Sequence, residues 1–153
     1  MRKSDLGYVA GIIDGEGCIS IAKIRKSNRT GGFEYSLRIS VEHTNEWLIK
    51  WLQFNFEGSV HFRKRGSDKW KGTWAWHIAA GRAAEFLLLI LPYLKIKQSH
   101  AELALQFQKS KVIRNYKVYH KTDEELALEE ARCALMHNFN KTGERARKDF
   151  NGI

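Results

Sequence analysis

The sequence is poor in proline, cysteine and long apolar segments. Its 153 residues include one proline, Pro92, and two cysteines, Cys18 and Cys133, whose spacing matches neither a disulfide framework nor a metal site. We therefore expect both thiols to be small, buried hydrophobic side chains. The longest apolar run, residues 86–94, has nine residues, about half of what a helix needs to span a bilayer. Since the N-terminus also lacks a signal-peptide pattern, these absences predict a soluble, intracellular protein with no membrane partner.

Acidic residues are scarce as well. The chain has 17 Asp and Glu against 26 Lys and Arg, which gives a formal net charge of +9. This excess favours a polyanionic partner, with nucleic acid as the leading class. The length suits a single domain, residues 1–153, with one hydrophobic core.

The residues that are present follow two periods. Residues 4–14 have helical spacing, with Ser4 as the expected N-cap and Asp5 in the first turn. Alternating residues predict two hairpins, one across the loop SNRTGG and one across GSDKWKG. The expected helices are 4–14, 45–57, 82–94, 98–113 and one from Thr122, and the expected strands are 18–26, 33–41, 59–65 and 73–80. This order predicts an α+β fold.

The first helix has one face with almost no side chains. At about 100° per residue, this face consists of Gly7, Ala10, Gly11 and Asp14. Small residues at such spacing let two helix backbones approach closely. The chain has no second segment of this kind, so we expect the same helix of a second copy as the partner, in a two-fold homodimer. Packing of the helix inside its own domain is the alternative.

Glu16 follows this helix directly, so a two-fold pairing would bring two carboxylates together. Such a pair is costly unless a cation lies between the two acids. Carboxylate, backbone carbonyl and water are the ligands that Mg²⁺ prefers. Asp14 and Gly15 can supply carbonyls at the helix end. We therefore predict that Glu16 and Gly15 hold Mg²⁺, against the alternative that the acids are plain surface.

Residues 9–17, VAGIIDGEG, closely resemble the motif of the LAGLIDADG homing endonucleases, with Val9 for the first Leu and Glu16 for the final acid. The segment LPYLKIKQSHAEL, residues 91–103, is similar to the family segment that carries a basic residue into the active site. The resemblance covers residues 5–115, roughly, and leaves a C-terminal helical extension at about 116–153. It implies an αββαββα core with a mixed, saddle-shaped, four-stranded sheet as the DNA-binding surface. A single motif implies the homodimeric branch of the family.

The resemblance also implies a function. It is that of a site-specific, Mg²⁺-dependent endodeoxyribonuclease that makes a double-strand cut in a long, nearly palindromic DNA target and promotes intron or intein mobility. The implied compartment is the cytoplasm of a prokaryote or an organelle of a eukaryote, and no small-molecule substrate is expected. The predicted catalytic residues are Glu16, Lys97 and His43. Lys97 would lie near the attacked phosphate, and His43 would either position water or cap the helix that begins near Asn45.

The strands offer a polar face for the DNA. In the second strand Tyr35, Leu37 and Ile39 alternate with polar residues, and in the fourth strand Trp74, Trp76 and Ile78 are expected inside. Paired β-ribbons enter the major groove, where Arg contacts guanine bidentately. A solvated basic surface is the alternative. The predicted DNA-binding residues are Ser20, Ala22, Ile24, Lys26, Arg29, Glu34, Ser36, Arg38, Ser40, His61, Arg63, Arg65 and His77.

Two other functions remain open on the sequence. One is an RNA maturase of the same fold that aids intron splicing without cutting DNA. The other is a non-catalytic DNA-binding dimer built on the same sheets. Loss of the motif acid would favour the maturase, and Glu16 is present.

Overall fold

The computed structural model describes residues 2–25, 32–64, 71–111 and 121–141. In these residues the chain forms five α-helices and four strands. The strands are β1 (Gly17–Arg25), β2 (Phe33–His43), β3 (Ser59–Arg63) and β4 (Thr73–Ala79). The helices are α1 (Lys3–Gly15), α2 (Glu46–Phe56), α3 (Ala80–Ile90), α4 (Gln98–Ser110) and α5 (Asp123–Lys141). The predicted α+β class and the αββαββα order of the core are confirmed.

The four strands form one sheet in the order β1-β2-β4-β3. Every pair of neighbours in it is antiparallel, so the expectation of a mixed sheet was wrong. The physical reason is the connection through α2. The chain enters β3 at the sheet edge and returns along β4, and it is β4 that lies beside β2. No parallel strands are therefore adjacent in the described sheet.

One face of the sheet is buried against the helices. The apolar side chains of its strands alternate inward, and Ile19, Ile39 and Trp76 have no exposed surface. They pack against apolar side chains of α1, α2, α3 and α4, such as Leu52 and Phe107. Removing this much apolar area from water is the main stabilising contribution to the fold. The residues that alternate with them point to the opposite face of the sheet, which holds none of the buried strand side chains named above.

Several helix ends differ from the expectations. The N-cap of α1 is Arg2 rather than Ser4, because the Asp5 carboxylate accepts the Arg2 backbone N–H at 3.1 Å and closes a capping box. The expected helix 82–94 ends at Ile90 and continues as a short 3-10 helix, Leu91–Tyr93, at the single proline. Thr122 caps α5 as predicted, since its hydroxyl accepts the Glu125 N–H at 3.2 Å.

Helix α5 lies along β1, the edge strand of the sheet. The Cys133 thiol donates to the Ile21 carbonyl at 3.0 Å, and the Asn140 amide donates to the Ile19 carbonyl at the same distance. These contacts satisfy edge carbonyls that would otherwise be open to another chain. Burial raises the pKa of the Cys133 thiol. Cys18 is exposed, so the expectation that both cysteines are buried was wrong for this one. No described helix is long and apolar enough to cross a membrane.

Candidate active site and nucleic-acid interface

The end of α1 presents the Glu16 carboxylate to solvent. Glu16 caps the helix, and its N–H donates to the Ile12 carbonyl at 2.8 Å. The chain then turns at once into β1 at Gly17. A Cβ at Gly17 would lie 2.7 Å from the Ile13 Cα, so this glycine is needed for the close passage of strand and helix. Helix and strand together fix Glu16 at the junction between the glycine-rich helix and the sheet.

Asp14 binds its own chain. Its carboxylate accepts the backbone N–H groups of Lys95 at 2.8 Å, Ile96 at 3.2 Å and Lys97 at 2.9 Å. These groups lie in the segment just before α4, so the carboxylate ties the end of α1 to the start of that helix. The sequence placed the Asp14 side chain in a dimer interface, and the structure shows that its oxygens bind the backbone of its own chain.

Lys97 completes this contact from the other side. Its ammonium donates to the carbonyls of Ile13 at 2.8 Å, Asp14 at 2.9 Å and Gly17 at 2.7 Å. A cation is favourable at the C-terminus of a helix, where carbonyls lack partners. Burial lowers the pKa of Lys97, while the negative charge of Asp14 partly offsets that effect. We call the reciprocal bonds of Asp14 and Lys97 the α1–α4 clasp. It occupies the Asp14 carbonyl, which the sequence had offered to a metal.

His43 lies at the end of β2. It lies opposite Trp74 of β4. The next pair on the same face of the sheet is the buried pair Val41 and Trp76. Its Nδ1 accepts the Asn45 N–H at 2.9 Å, and the Asn45 side chain accepts the Leu48 N–H at 3.2 Å. Of the two interpretations left open by the sequence, this geometry favours the capping of α2.

The face of α1 without side chains includes Gly11 and Gly15, whereas the predicted face included Ala10. Ala10 has no exposed surface and packs in the core, so it was wrongly assigned to a dimer contact. A Cβ at Gly7 would lie 4.0 Å from the Tyr93 ring, whereas one at Gly11 or Gly15 would meet nothing within 4 Å. Tyr8 is half exposed on the same face, one turn before Gly11. The sequence missed Tyr8 because an aromatic ring did not fit a stripe of small residues.

The polar side chains of all four strands lie on the same side of the sheet. In register, Ser20 lies opposite Arg38, Ser40 lies opposite both Cys18 and His77, and Arg63 lies opposite Thr73. The described members of the predicted DNA-binding set share this face, namely Ser20, Ala22, Ile24, Glu34, Ser36, Arg38, Ser40, His61, Arg63 and His77. Lys26, Arg29 and Arg65 lie outside the described residues. We call this surface the polar sheet face.

The electrostatics of the polar sheet face involve an acid that the sequence analysis omitted. Arg63 donates from Nη1 to Glu42 Oε1 at 2.7 Å. The His61 and His77 rings lie 5.9 Å apart. Burial lowers the pKa of His77, and the positive charges of Arg63 and His61 lower it further. The alternation of β2 could have found Glu42, which follows Arg38 and Ser40 at intervals of two.

The described residues of one chain were compared with what a metal ion requires. Within the described parts of one chain, no three His, Cys, Asp or Glu side chains lie close enough to hold a metal ion. Glu16 and Gly15 are exposed and offer a carboxylate and the carbonyl of a last helical turn. These are hard oxygen donors of the type that Mg²⁺ takes, with water in the remaining positions. The chemistry of these donors therefore fits Mg²⁺.

Comparison with known proteins identifies the family. The model of the LAGLIDADG endonucleases matches residues 9–114, most of the chain. The chain therefore belongs to the LAGLIDADG endonuclease family, as the sequence motif indicated. No curated protein matches the chain in sequence.

Solved structures with the same fold are homing endonucleases. I-CvuI, crystallised with its target in the presence of Ca, has a TM-score of 0.73 and 21% identity over 92% of this chain and 85% of its own. I-TnaI has a TM-score of 0.61 and 20% identity over 93% and 91% of the two chains. I-CeuI, complexed with DNA, has a TM-score of 0.56 and 16% identity over 71% and 55%. At these identities the likeness establishes the fold.

Proposed function

We propose that this protein is a homodimeric, Mg²⁺-dependent homing endonuclease that makes a double-strand cut in a long, nearly palindromic DNA site. The observation that carries the proposal is the exposed Glu16 at the end of a helix whose Gly11 and Gly15 face open space. Such a face lets a second copy of α1 approach closely and brings the two acids together. Membership of an endonuclease family supports the same chemistry.

The dimer contact would extend beyond the glycines. Ile96 is 59% exposed, and its backbone is bound to Asp14 beside the end of α1. Tyr8 is 53% exposed and makes an edge contact with Trp51 of α2 at 5.7 Å between ring centroids. Apolar side chains around a bare helix face give a self-complementary patch, as a two-fold interface requires.

The polar sheet face would bind the DNA. A strand of nine to eleven residues, such as β1 or β2, spans about 33 Å, close to one turn of B-DNA. Each protomer would then contact about ten base pairs and the dimer about twenty. I-CvuI and I-SmaMI, which share this fold, were crystallised bound to DNA, which supports DNA as the partner.

Mg²⁺, when bound, would activate water and stabilise negative charge at the cleaved phosphodiester. Glu16 and the Gly15 carbonyl of each protomer would hold it. The α1–α4 clasp would keep the end of α1 in place, because each of its two side chains satisfies several backbone groups. Lys97 would also place a positive charge within reach of Glu16, since the two charges already interact. Its role would thus be to position the acid and to balance charge beside the phosphate.

A paired measurement tests the proposal. Glu16→Gln keeps the size of the side chain and removes the charge that holds the metal. We expect cleavage of the target duplex to be lost while the dissociation constant stays equal or falls, because a negative charge beside phosphates has been removed. The matched control is Glu46→Gln on α2, whose partner is Lys50 at 2.6 Å. This control should cut at the wild-type rate.

Three results would contradict the proposal in different ways. If Glu16→Gln cuts at the wild-type rate, Glu16 is not the metal ligand. If the wild-type protein binds a duplex and never cuts it with Mg²⁺, it is a DNA-binding dimer without catalysis. If it binds only its intron RNA and aids splicing, the maturase alternative holds.

A further inference from the structure

The ion pair between Glu42 and Arg63 crosses a strand. Glu42 is on β2 and Arg63 is on β3, and β4 lies between these two strands in the sheet. In register, Glu42 lies opposite Ala75, and Arg63 lies opposite Thr73, two residues away on the same face of β4. The two side chains therefore meet above the central strand, with their charged ends 2.7 Å apart.

Ala75 makes this crossing possible. Its side chain points to the polar sheet face, as the sequence alternation predicts, yet it has no exposed surface. A small side chain in the middle of the row leaves room for Glu42 and its neighbours to lie over it. A larger residue at position 75 would lift the bridge or push its two ends apart. The small side chain of Ala75 thus leaves the space that the ion pair between Glu42 and Arg63 occupies.

Stability does not account for the pair. The side chains of Arg63 and Glu42 are 60% and 44% exposed, and exposed pairs of this kind contribute little to the free energy of unfolding. A short, charge-assisted hydrogen bond does fix the orientation of the Arg63 guanidinium. The bond uses Nη1 of the guanidinium. It leaves the edge formed by Nε and Nη2, and such an edge can bind N7 and O6 of guanine bidentately.

We propose that Glu42 is a positioning residue that sets the base preference of Arg63 by holding its guanidinium across β4. The inference rests on the proposed function, since it requires the polar sheet face to lie in a groove of DNA. Glu42 itself repels phosphates and contributes no affinity for DNA in general. Its effect is confined to the base pair that Arg63 contacts, once in each half of a palindromic target.

The test is a base-preference profile of the 153-residue protein. Duplexes bound by the wild-type protein are first selected from a random library, and the dissociation constant is then measured for all four base pairs at each position of the half-site. We expect Arg63→Ala to lose preference at one position. We expect Glu42→Ala to lose preference at that same position, by about tenfold. Glu42→Gln, which keeps a neutral acceptor, should fall between wild type and alanine.

Further variants separate orientation from charge and from folding. The double variant Glu42→Ala with Arg63→Ala should be no less selective than Arg63→Ala alone, because the two residues act as one unit. Ala75→Val keeps both charges and should reproduce the Glu42 loss. The matched control Glu46→Ala removes a carboxylate from the Lys50 pair on α2 and should leave the profile unchanged.

The results also distinguish the two levels of the hypothesis. Retained preference in Glu42→Ala, or a loss at a position that Arg63→Ala does not affect, overturns the role of Glu42 and leaves the proposed function intact. Failure of the wild-type protein to retain any duplex overturns both. An equal loss at every position in Glu42→Ala also overturns the inference, because it would mean a general change of charge or fold.

Discussion

At the scale of single residues, the two side chains of the α1–α4 clasp bind backbone groups of opposite kinds. The Asp14 carboxylate satisfies three backbone N–H groups, and the Lys97 ammonium satisfies three backbone carbonyls. Each side chain thus takes the place of water at backbone groups that lie beside a helix end. Removal of either one leaves donors or acceptors half buried without partners.

Asp14→Ala should therefore destabilise the protein. Three N–H groups before α4 would lose a charged acceptor, and we expect the free energy of unfolding to fall by about 1 to 3 kcal/mol. The measurement is the urea midpoint with an unchanged slope. Asp123→Ala, an exposed acid in the first turn of α5, is the control and should change stability much less. Equal midpoints for the two variants would show that the clasp contributes nothing.

His77 should make DNA binding depend on pH. In the free protein its pKa is lowered by burial first and then by Arg63 and His61, with Arg38 adding to the effect and Glu42 opposing it. Phosphates near the polar sheet face would raise that pKa, so the complex holds more protons than the free protein. By linkage, the dissociation constant should fall as pH decreases from about 7.5 to about 6.

The control for this pH dependence is a histidine elsewhere. His77→Gln should flatten the profile, whereas His137→Gln, which changes an exposed side chain on α5, should leave it as in the wild type. Both proteins are measured at constant ionic strength, because salt alone changes the affinity. A profile that is equally steep in His77→Gln would assign the titration to another group.

At the scale of elements, α1 shows what one glycine-rich helix is for. Its inner side packs Val9, Ala10 and Ile13 in the core, and its outer side offers Gly11 and Gly15. Glycine inside a helix costs about 1 kcal/mol relative to alanine. Among the described residues a Cβ at Gly11 would meet nothing within 4 Å, so no close contact there explains that cost.

Gly11→Leu should separate the dimer without unfolding the protomer. The new side chain has open space in the single chain and would stand between two paired helices. Light scattering at micromolar concentration should give the mass of one chain for this variant and of two for the wild type. Gly81→Leu, at another helical glycine whose Cβ would meet nothing within 4 Å, is the control and should remain dimeric. A monomeric wild type would contradict the proposed interface directly.

The elements themselves could be predicted from the sequence, but their mutual arrangement could not. Period and turn residues located every helix and strand described, because these signals are local. The direction of strand pairing depends on which strand lies beside β2. Local sequence patterns carry no information about that neighbour. The α1–α4 clasp could not be predicted for the same reason, because it joins residues that are far apart in the sequence. Asp14 and Lys97 are 83 residues apart, so the sequence placed the acid on the helix face and missed its partners.

At the scale of the whole molecule, the net charge of +9 should dominate the dependence of DNA affinity on salt. Lysine and arginine side chains that contact phosphates release condensed counterions, and six to ten such contacts would weaken binding by about 10³-fold or more between 50 and 200 mM salt. The measurement is the dissociation constant on one duplex, with sucrose at matched osmolality as the control. An affinity independent of salt would contradict binding through phosphates.

The α1–α4 clasp also joins two segments that are synthesised at different times. The motif that carries Glu16 is synthesised early, whereas the backbone N–H groups and the ammonium that secure the end of α1 belong to residues 95–97. A nascent chain that has reached only β4 thus carries the family motif and lacks the groups that hold its helix end. We therefore expect the segment beside Glu16 to become rigid only after the start of α4 has docked against it.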